Sequence, residues 1–304
     1  MAETPTIQDV FGGTLIEIAL SMILYGITLT QTYVYYLNYP DDSLWLKLHI
    51  AAVTVVETIH TIFIIHMSYA YLITDFGHLE ELERIVWSAG GSATLGMVIV
   101  ALVQGFYIRR IWILSGKNKP LTFTIAALAF VRVVFGLATS TLTLLLGTWD
   151  TFRSHKGPLF TLATGLSLSA LVDLLIAVTL MYYLHRSRTG LKHTDHLIRS
   201  LMAYIVNTGA ITMIVSIAIV LTFVFLKGSL LFAGLVQMSS KLYANSLLGT
   251  LNARNLLRRK ADMMKVELVE RFQSSTIYRS NPSDVDDSQP VDGRQKKRAS
   301  VLPA

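Results

Sequence analysis

Apolar residues gather into seven long runs separated by short polar links: 12–36, 48–73, 86–108, 121–146, 159–183, 200–226 and 229–251. Leu, Ile, Val, Ala, Phe, Thr and Gly dominate each run. The runs reach the roughly twenty residues an α-helix needs to cross a hydrocarbon core about 30 Å thick, and they are far too long for barrel strands. Lipid offers no partner for a backbone N–H or C=O, so a run of this kind satisfies its own polar groups as a helix. The pattern predicts an all-α fold: an integral membrane bundle of seven transmembrane helices over residues 1–254.

Composition agrees with that pattern. The chain has 304 residues, 52% hydrophobic and 15% charged, with a mean hydropathy of +0.51. A soluble domain carries about a quarter of its residues charged. There is no cysteine, which excludes disulfides and thiolate chemistry. No glycosylation sequon is present, since Asn281 is followed by Pro282. The first ten residues, MAETPTIQDV, hold acids and no base, so the first run is expected to be a retained helix and not a cleaved signal.

Charge sets the expected orientation. Alternate links, with the stretch after the last run, hold fifteen Lys and Arg, among them Lys47, Arg109, Arg110, Arg186 and Arg254; the others hold four, Arg84, Arg153, Lys156 and Lys227. Basic links prefer the cytoplasmic side, which predicts an N-terminus outside and a C-terminus in the cytoplasm. The net charge of +6 is mostly this asymmetry, so nucleic acid is not an expected partner. Residues 255–273 set Leu257, Ala261, Met264, Leu268 and Phe272 on one stripe amid cations, as in an amphipathic helix lying on the inner leaflet, or else a solvated extension of the seventh span. Residues 274–304 lack the apolar content for a core and are expected to be a disordered cytoplasmic tail. Its RQKKRAS cluster, around Ser300, is a candidate modification or lipid-binding patch.

Four charges fall near the depth of the membrane centre: Glu57, Arg132, Asp173 and Lys241. Each costs about 2.5–3.5 kcal/mol at a helix centre, roughly 12 kcal/mol together if none finds a partner. Two acids and two bases are therefore expected to turn inward and compensate one another. In AAVTVVETIHTIFIIHMS, at 51–68, His60 lies about 20° around the helix from His49 and about 60° from Glu57, whereas His66 points roughly opposite Glu57. On the seventh run Lys241, Asn245 and Asn252 form a polar stripe. The candidate ligand-binding or buried polar core is thus Glu57, His60, Arg132, Asp173, Lys241 and Asn245. Such a core keys helix packing, or holds a ligand or ion. Enzymatic chemistry has weaker support. Glu57-x-x-His60 has no second copy for a di-iron site, the remaining histidines lie in links or at run ends, and Lys241 alone is a thin basis for a retinal Schiff base. The expectation is a non-enzymatic protein with no catalytic residue, no metal and no cofactor. Gly12, Gly13, Gly90, Gly91 and Gly96 suit close helix packing. The histidine-rich link HRSRTGLKHTDH reads as a basic anchor or a pH sensor.

Several stretches resemble one group of proteins: LYGITLTQTYVYY, Glu57-Thr58, QGFYIRRIWILS, DLLIAVTLMYYLHRSRTGLKHTDHLIRSLMAYIVNTG and KLYANSLLGTLNAR. These resemble seven-helix membrane proteins of mushroom-forming (basidiomycete) fungi that carry domain of unknown function 6534, over roughly residues 12–255. The resemblance implies the same topology and no activity. Tyr25, Gly26, Gln31, Asp173, Thr189, Gly190, Asn207, Thr208, Gly209, Asn245, Ser246, Leu247, Asn252 and Arg254 sit on its pattern, whereas Glu17 stands where a small residue is expected. The expected role is receptor- or sensor-like in a multi-pass membrane protein, with the bilayer and a small molecule or cytoplasmic protein as partners. The alternative is a secondary transporter or proton-linked carrier relaying through Glu57, His60, Asp173 and Lys241. Which membrane it occupies, and its oligomeric state, stay open. The third run ends in IRRIW with no acid before the arginine pair, unlike a G-protein-coupled receptor. The mostly unbroken runs count against a carrier.

Overall fold

The computed structural model describes residues 7–76, 78–186, 192–226 and 229–279. Its long helices are α1 (Ile7–Asn38), α2 (Leu44–Tyr69, continued by a π-helical turn, Ala70–Thr74), α4 (Trp87–Leu114), α5 (Lys119–Leu146), α7 (Lys156–Arg186), α8 (Lys192–Phe225) and α9 (Leu231–Arg279). Two short helices, α3 (Leu79–Leu82) and α6 (Trp149–Ser154), lie in the links, where no apolar run announced them.

Among the described residues, five helices are long and apolar enough to cross a membrane: Gly12–Asn38, Leu44–Thr74, Trp87–Leu114, Lys119–Leu146 and Lys156–Arg186. In α8 the described apolar stretch, Gly209–Phe225, is shorter. Helix α9 is less apolar because Gln237, Ser240, Lys241, Asn245 and Asn252 punctuate it, and Gln237, Ser240 and Lys241 are buried inside the protein. This is the architecture of a membrane-embedded, multi-pass protein. Its surface agrees. On α5, Phe123, Phe130, Leu137 and Leu144 recur every seven residues on an exposed face, while Arg132, Ser140 and Thr143 are buried. Water would penalise that arrangement, with its outward apolar stripe and inward polar one; lipid favours it.

The ends of α5 show how the links are cut. Asn118 caps its start by accepting from Leu121 N–H at 3.3 Å, Pro120 occupies the first turn, and Gly147 (φ 73°) ends it in the left-handed conformation. At that end, Ile85 N–H donates to Gly147 C=O (2.7 Å) and Trp149 N–H to Glu83 C=O (2.8 Å), so two links zip together. The Tyr71 hydroxyl accepts from Trp149 Nε1 (3.1 Å) and Val86 N–H (3.1 Å) and donates to Arg84 C=O (2.9 Å). Trp149, Phe152, Phe223 and Phe232 pack edge to face beneath it.

Hydrogen bonds between helices fix their directions. Asn245 and Asn252 of α9 meet the carbonyls of Leu24 (2.9 Å) and Gln31 (2.8 Å) on α1, so the two helices run parallel in constant register. Helix α2 runs antiparallel to α9, with His60 against Gln237 and Glu57 against Lys241. Helix α5 runs antiparallel to α4, with Ser140 at Thr94 (2.5 Å) and Gly136 opposite Met97. The glycines act as contact points: a Cβ on Gly91 would sit 2.7 Å from Phe63, and one on Gly90 would strike Leu144.

Residues 255–273 are helical, but they continue α9 without a break, and the helix extends through Arg279, into the segment expected to be disordered. No proline interrupts the chain between Leu231 and Pro282, so no covalent breaker ends the helix earlier. The remainder of the tail with Ser300, and residues 187–191 of the histidine-rich link with Thr189 and Gly190, lie outside the described residues; so do the side chains of Asn207 and Thr208.

At the opposite end from Trp149, the α1–α2 link is tied to α9. Arg254 Nη2 donates to Asp42 Oδ2 at 2.7 Å, Tyr35 donates to the same oxygen at 2.8 Å, and the Arg254 guanidinium lies 4.5 Å from the Tyr39 ring centre. Burial alone pushes the Asp42 carboxyl up; hydrogen bonds from Arg254 and Tyr35, with the Arg254 charge, outweigh it and hold the group below its ordinary range. A depressed carboxylate contributes stability above its unfolded value near 4, and that contribution fades as pH falls through the lower folded value. Asp42→Asn is therefore expected to cost about 1.5 kcal/mol at pH 7 in detergent-titrated unfolding, and progressively less as pH falls below about 4.

Candidate functional site

Helix α9 is the inner wall of the site. Between Gln237 and Leu251 most of its side chains are buried, so its polar groups must find partners on α1, α2, α4 and α7. Lys241 is fully buried. Its ammonium pairs with the equally buried Glu57 carboxylate, donates to Thr61 Oγ1 (2.6 Å) and approaches the Glu57 carbonyl (3.4 Å). Its three N–H groups thus have three acceptors, and the Tyr25 ring lies 5.2 Å away. The second Glu57 oxygen, Oε1, has no hydrogen-bond partner among the described residues.

One turn along α2, His60 Nε2 meets Gln237 Oε1 at 2.9 Å, and Gln237 Nε2 donates to Ser92 Oγ at 2.6 Å. With the amide in that orientation, the ring nitrogen facing Oε1 is the donor. Nδ1 faces the Ser240 hydroxyl at 3.4 Å, which also donates to the Gln237 carbonyl at 3.1 Å, with Glu57 Oε2 3.8 Å away. A chain of contacts therefore runs from Lys241 through Glu57 and His60 to Gln237 and Ser92, joining α9, α2 and α4.

Asp173 occupies a second centre. Gln104 Nε2 donates to Oδ1 at 2.9 Å, while Thr212 (3.1 Å) and Tyr243 donate to Oδ2. Tyr243 in turn accepts from Ser169 at 3.0 Å. A space of about 30 Å³ beside this cluster, bounded by Gln104, Tyr107, Asp173, Thr212 and Tyr243, is large enough for a water molecule.

Arg132 and Asp173 compensate each other only at a distance, with no ion pair between them among the described residues. Arg132 is buried, yet its Nε and Nη1 have no hydrogen-bond partner among the described residues. The physical reason is competition: Asp173 is already served by three donors on α4, α8 and α9. Arg132 instead lines a cavity of about 100 Å³ together with His60, Gln237, Ser92, Ser140 and Gly165. Of the four charges, two form an ion pair, one is held by neutral donors, and one faces a cavity.

Asn245 is half-buried, and its amide N–H groups dock α1 through the Leu24 carbonyl and bond the Lys241 carbonyl, while that of Asn252 docks α1 through Gln31. His49, on the Glu57 face as expected, stacks on Trp45 at 5.1 Å; His66 is exposed and meets Ser88 at 2.9 Å. Glu17 is buried with its carboxylate against Gly234, so the space expected at position 17 is supplied by α9. Gln104, Gln237, Thr61, Ser92 and Tyr243 were not anticipated. The mid-run amides Gln104 and Gln237 were the available signal, since an uncharged amide in lipid also needs a partner. No group of three or more His, Asp and Glu suited to a metal occurs among the described residues.

Residues 169–256 match a family of unknown function, DUF6534. That stretch carries Asp173, Thr212, Gln237, Lys241, Tyr243, Asn245 and Arg254; Glu57, His60, Gln104 and Arg132 lie outside it. No curated protein and no solved structure matches the chain.

Proposed function

We propose that this is a seven-span membrane protein, N-terminus outside and C-terminus cytoplasmic, that acts as a receptor or sensor for a small ligand held within the helices. The cavity beside His60, Arg132 and Gln237 is the observation that carries the reading. Pockets that hold small molecules combine apolar walls with a few convergent polar groups, and this one has that composition. The parallel course of α1 and α9 supports an odd number of crossings, and the basic links support the orientation. The motifs in residues 12–168 resemble those of the fungal seven-helix group, which supports the reading for that part of the chain. In the site, Arg132, His60 and Gln237 face the ligand, Glu57 and Lys241 hold α2 to α9 behind them, and Asp173 and Asn245 lock α7 and α1 to α9. A cytoplasmic partner would read the change at the Arg254 end, because α9 alone carries Gln237, Lys241 and Arg254.

Unbroken helices through the interior favour a receptor over a carrier, whose sites are usually built from interrupted spans. Reconstitution in liposomes separates the two. The expected result is thermal stabilisation by small solutes without solute or proton flux. Flux that Glu57→Gln abolishes would establish the carrier instead.

A further inference from the structure

We propose that the cavity between α4, α5, α7 and α9 is the seat of a short-chain organic anion, a monocarboxylate whose head group is bound by Arg132. The assignment deepens the receptor reading and rests on it. Arg132 is 7% exposed, and two of its guanidinium nitrogens have no hydrogen-bond partner among the described residues. Buried guanidinium groups ordinarily have several acceptors, and an exception of this kind calls for an occupant. Asp173 offsets the Arg132 charge from a distance, but it makes no ion pair with Arg132 among the described residues, and it borders a separate, smaller space that Arg132 does not line.

Register gives the cavity its polarity. Gly136 faces Met97 and Ser140 faces Thr94, so Arg132, one turn beyond Gly136, falls level with Val100. The far end is bounded by Ala93 and Thr139. Seven residues of α4 separate Ala93 from Val100, a rise of roughly 10 Å. On the flank, the Met97 side chain lies over Gly136, and Gly165 packs against the α5 backbone at Phe135 and Gly136. A single water-sized group needs about 10–15 Å³, so about 100 Å³ takes roughly seven to ten such groups, room for a carboxylate on a chain of about four to five further carbons. A planar carboxylate matches the guanidinium fork through two parallel N–H···O bonds, and the apolar walls take the chain.

The test uses the full chain in nanodiscs, with thermal unfolding read by tryptophan fluorescence. The probes are hexanoate, propionate, the neutral isostere hexanamide, and chloride. At roughly a hundredfold excess over its Kd, hexanoate is expected to raise Tm by about 5 °C, with hexanamide and chloride without effect. Arg132→Met is expected to weaken hexanoate at least about tenfold. Ala93→Leu keeps the guanidinium and fills the far end, so it is expected to weaken hexanoate about tenfold while leaving propionate as in the native chain. That second variant decides the matter if Arg132→Met does not fold. Equal stabilisation by hexanamide would overturn the anion assignment and leave the receptor reading standing. Stabilisation by chloride with nothing added by hexanoate would reduce the site to an inorganic anion and overturn the carboxylate. No stabilisation by any probe, together with solute flux, would sink both.

Discussion

Replacing Lys241 by Met is expected to lower the stability of the folded chain by about 3–5 kcal/mol, because it leaves Glu57 as a bare charge at 0% exposure. The ammonium is the centre of a set: it binds the Glu57 carboxylate, the Thr61 hydroxyl and the Glu57 carbonyl, and none of the three has water to fall back on. Met preserves most of the volume, so the loss is electrostatic and not a matter of packing. Glu57→Gln is expected to cost less. Its amide oxygen still accepts from Lys241, and the buried ammonium keeps its bond to Thr61. Unfolding titrated with a denaturing detergent in mixed micelles measures both. A Lys241→Met chain as stable as the native one would show that the pair is not where the structure puts it.

The second large effect is expected at Asp173. Asp173→Ala strips the acceptor from Gln104, Thr212 and Tyr243, which are 2%, 3% and 7% exposed. A buried donor left without a partner costs about 1–3 kcal/mol. Gln104 loses its acceptor outright, whereas Thr212 keeps the Gly209 carbonyl at 3.1 Å and Tyr243 keeps Ser169 at 3.0 Å, so the loss is on the order of 3 kcal/mol. Water entering the neighbouring space of about 30 Å³ offsets part of it. Asp173→Asn keeps one acceptor oxygen and is expected to lose about half as much by the same unfolding measurement. Because Gln104 lies on α4, Thr212 on α8 and Tyr243 on α9, the Ala variant is also expected to loosen three helices at once. Hydrogen exchange or proteolysis would show that loosening at these helices.

What could be read from the sequence divides along physical lines. The apolar runs marked the long helices because lipid imposes length and hydropathy on each span separately. Angular position on α2 correctly put Glu57 and His60 on a buried face, since helical phase is a local property. Pairing is not local. That Arg132 would be left facing a cavity depended on Gln104, Thr212 and Tyr243 reaching Asp173 first, from three other helices. Asn245 and Asn252 were visible as a stripe, but their partners are backbone carbonyls of Leu24 and Gln31, which have no sequence signature. The short helices α3 and α6 escaped for the opposite reason. Turn chemistry around Thr148 and packing of Leu82, Trp149 and Phe152 shape them, with no periodic run to betray them.

The most direct test is a double-mutant cycle on Glu57→Gln and Lys241→Met, with unfolding followed in the same mixed micelles. Contact between the two groups in a dry interior predicts a coupling of about 2 kcal/mol or more, the double variant being well short of the sum of the singles. Losses that add to within about 0.5 kcal/mol would place the two side chains apart and contradict the interior described above.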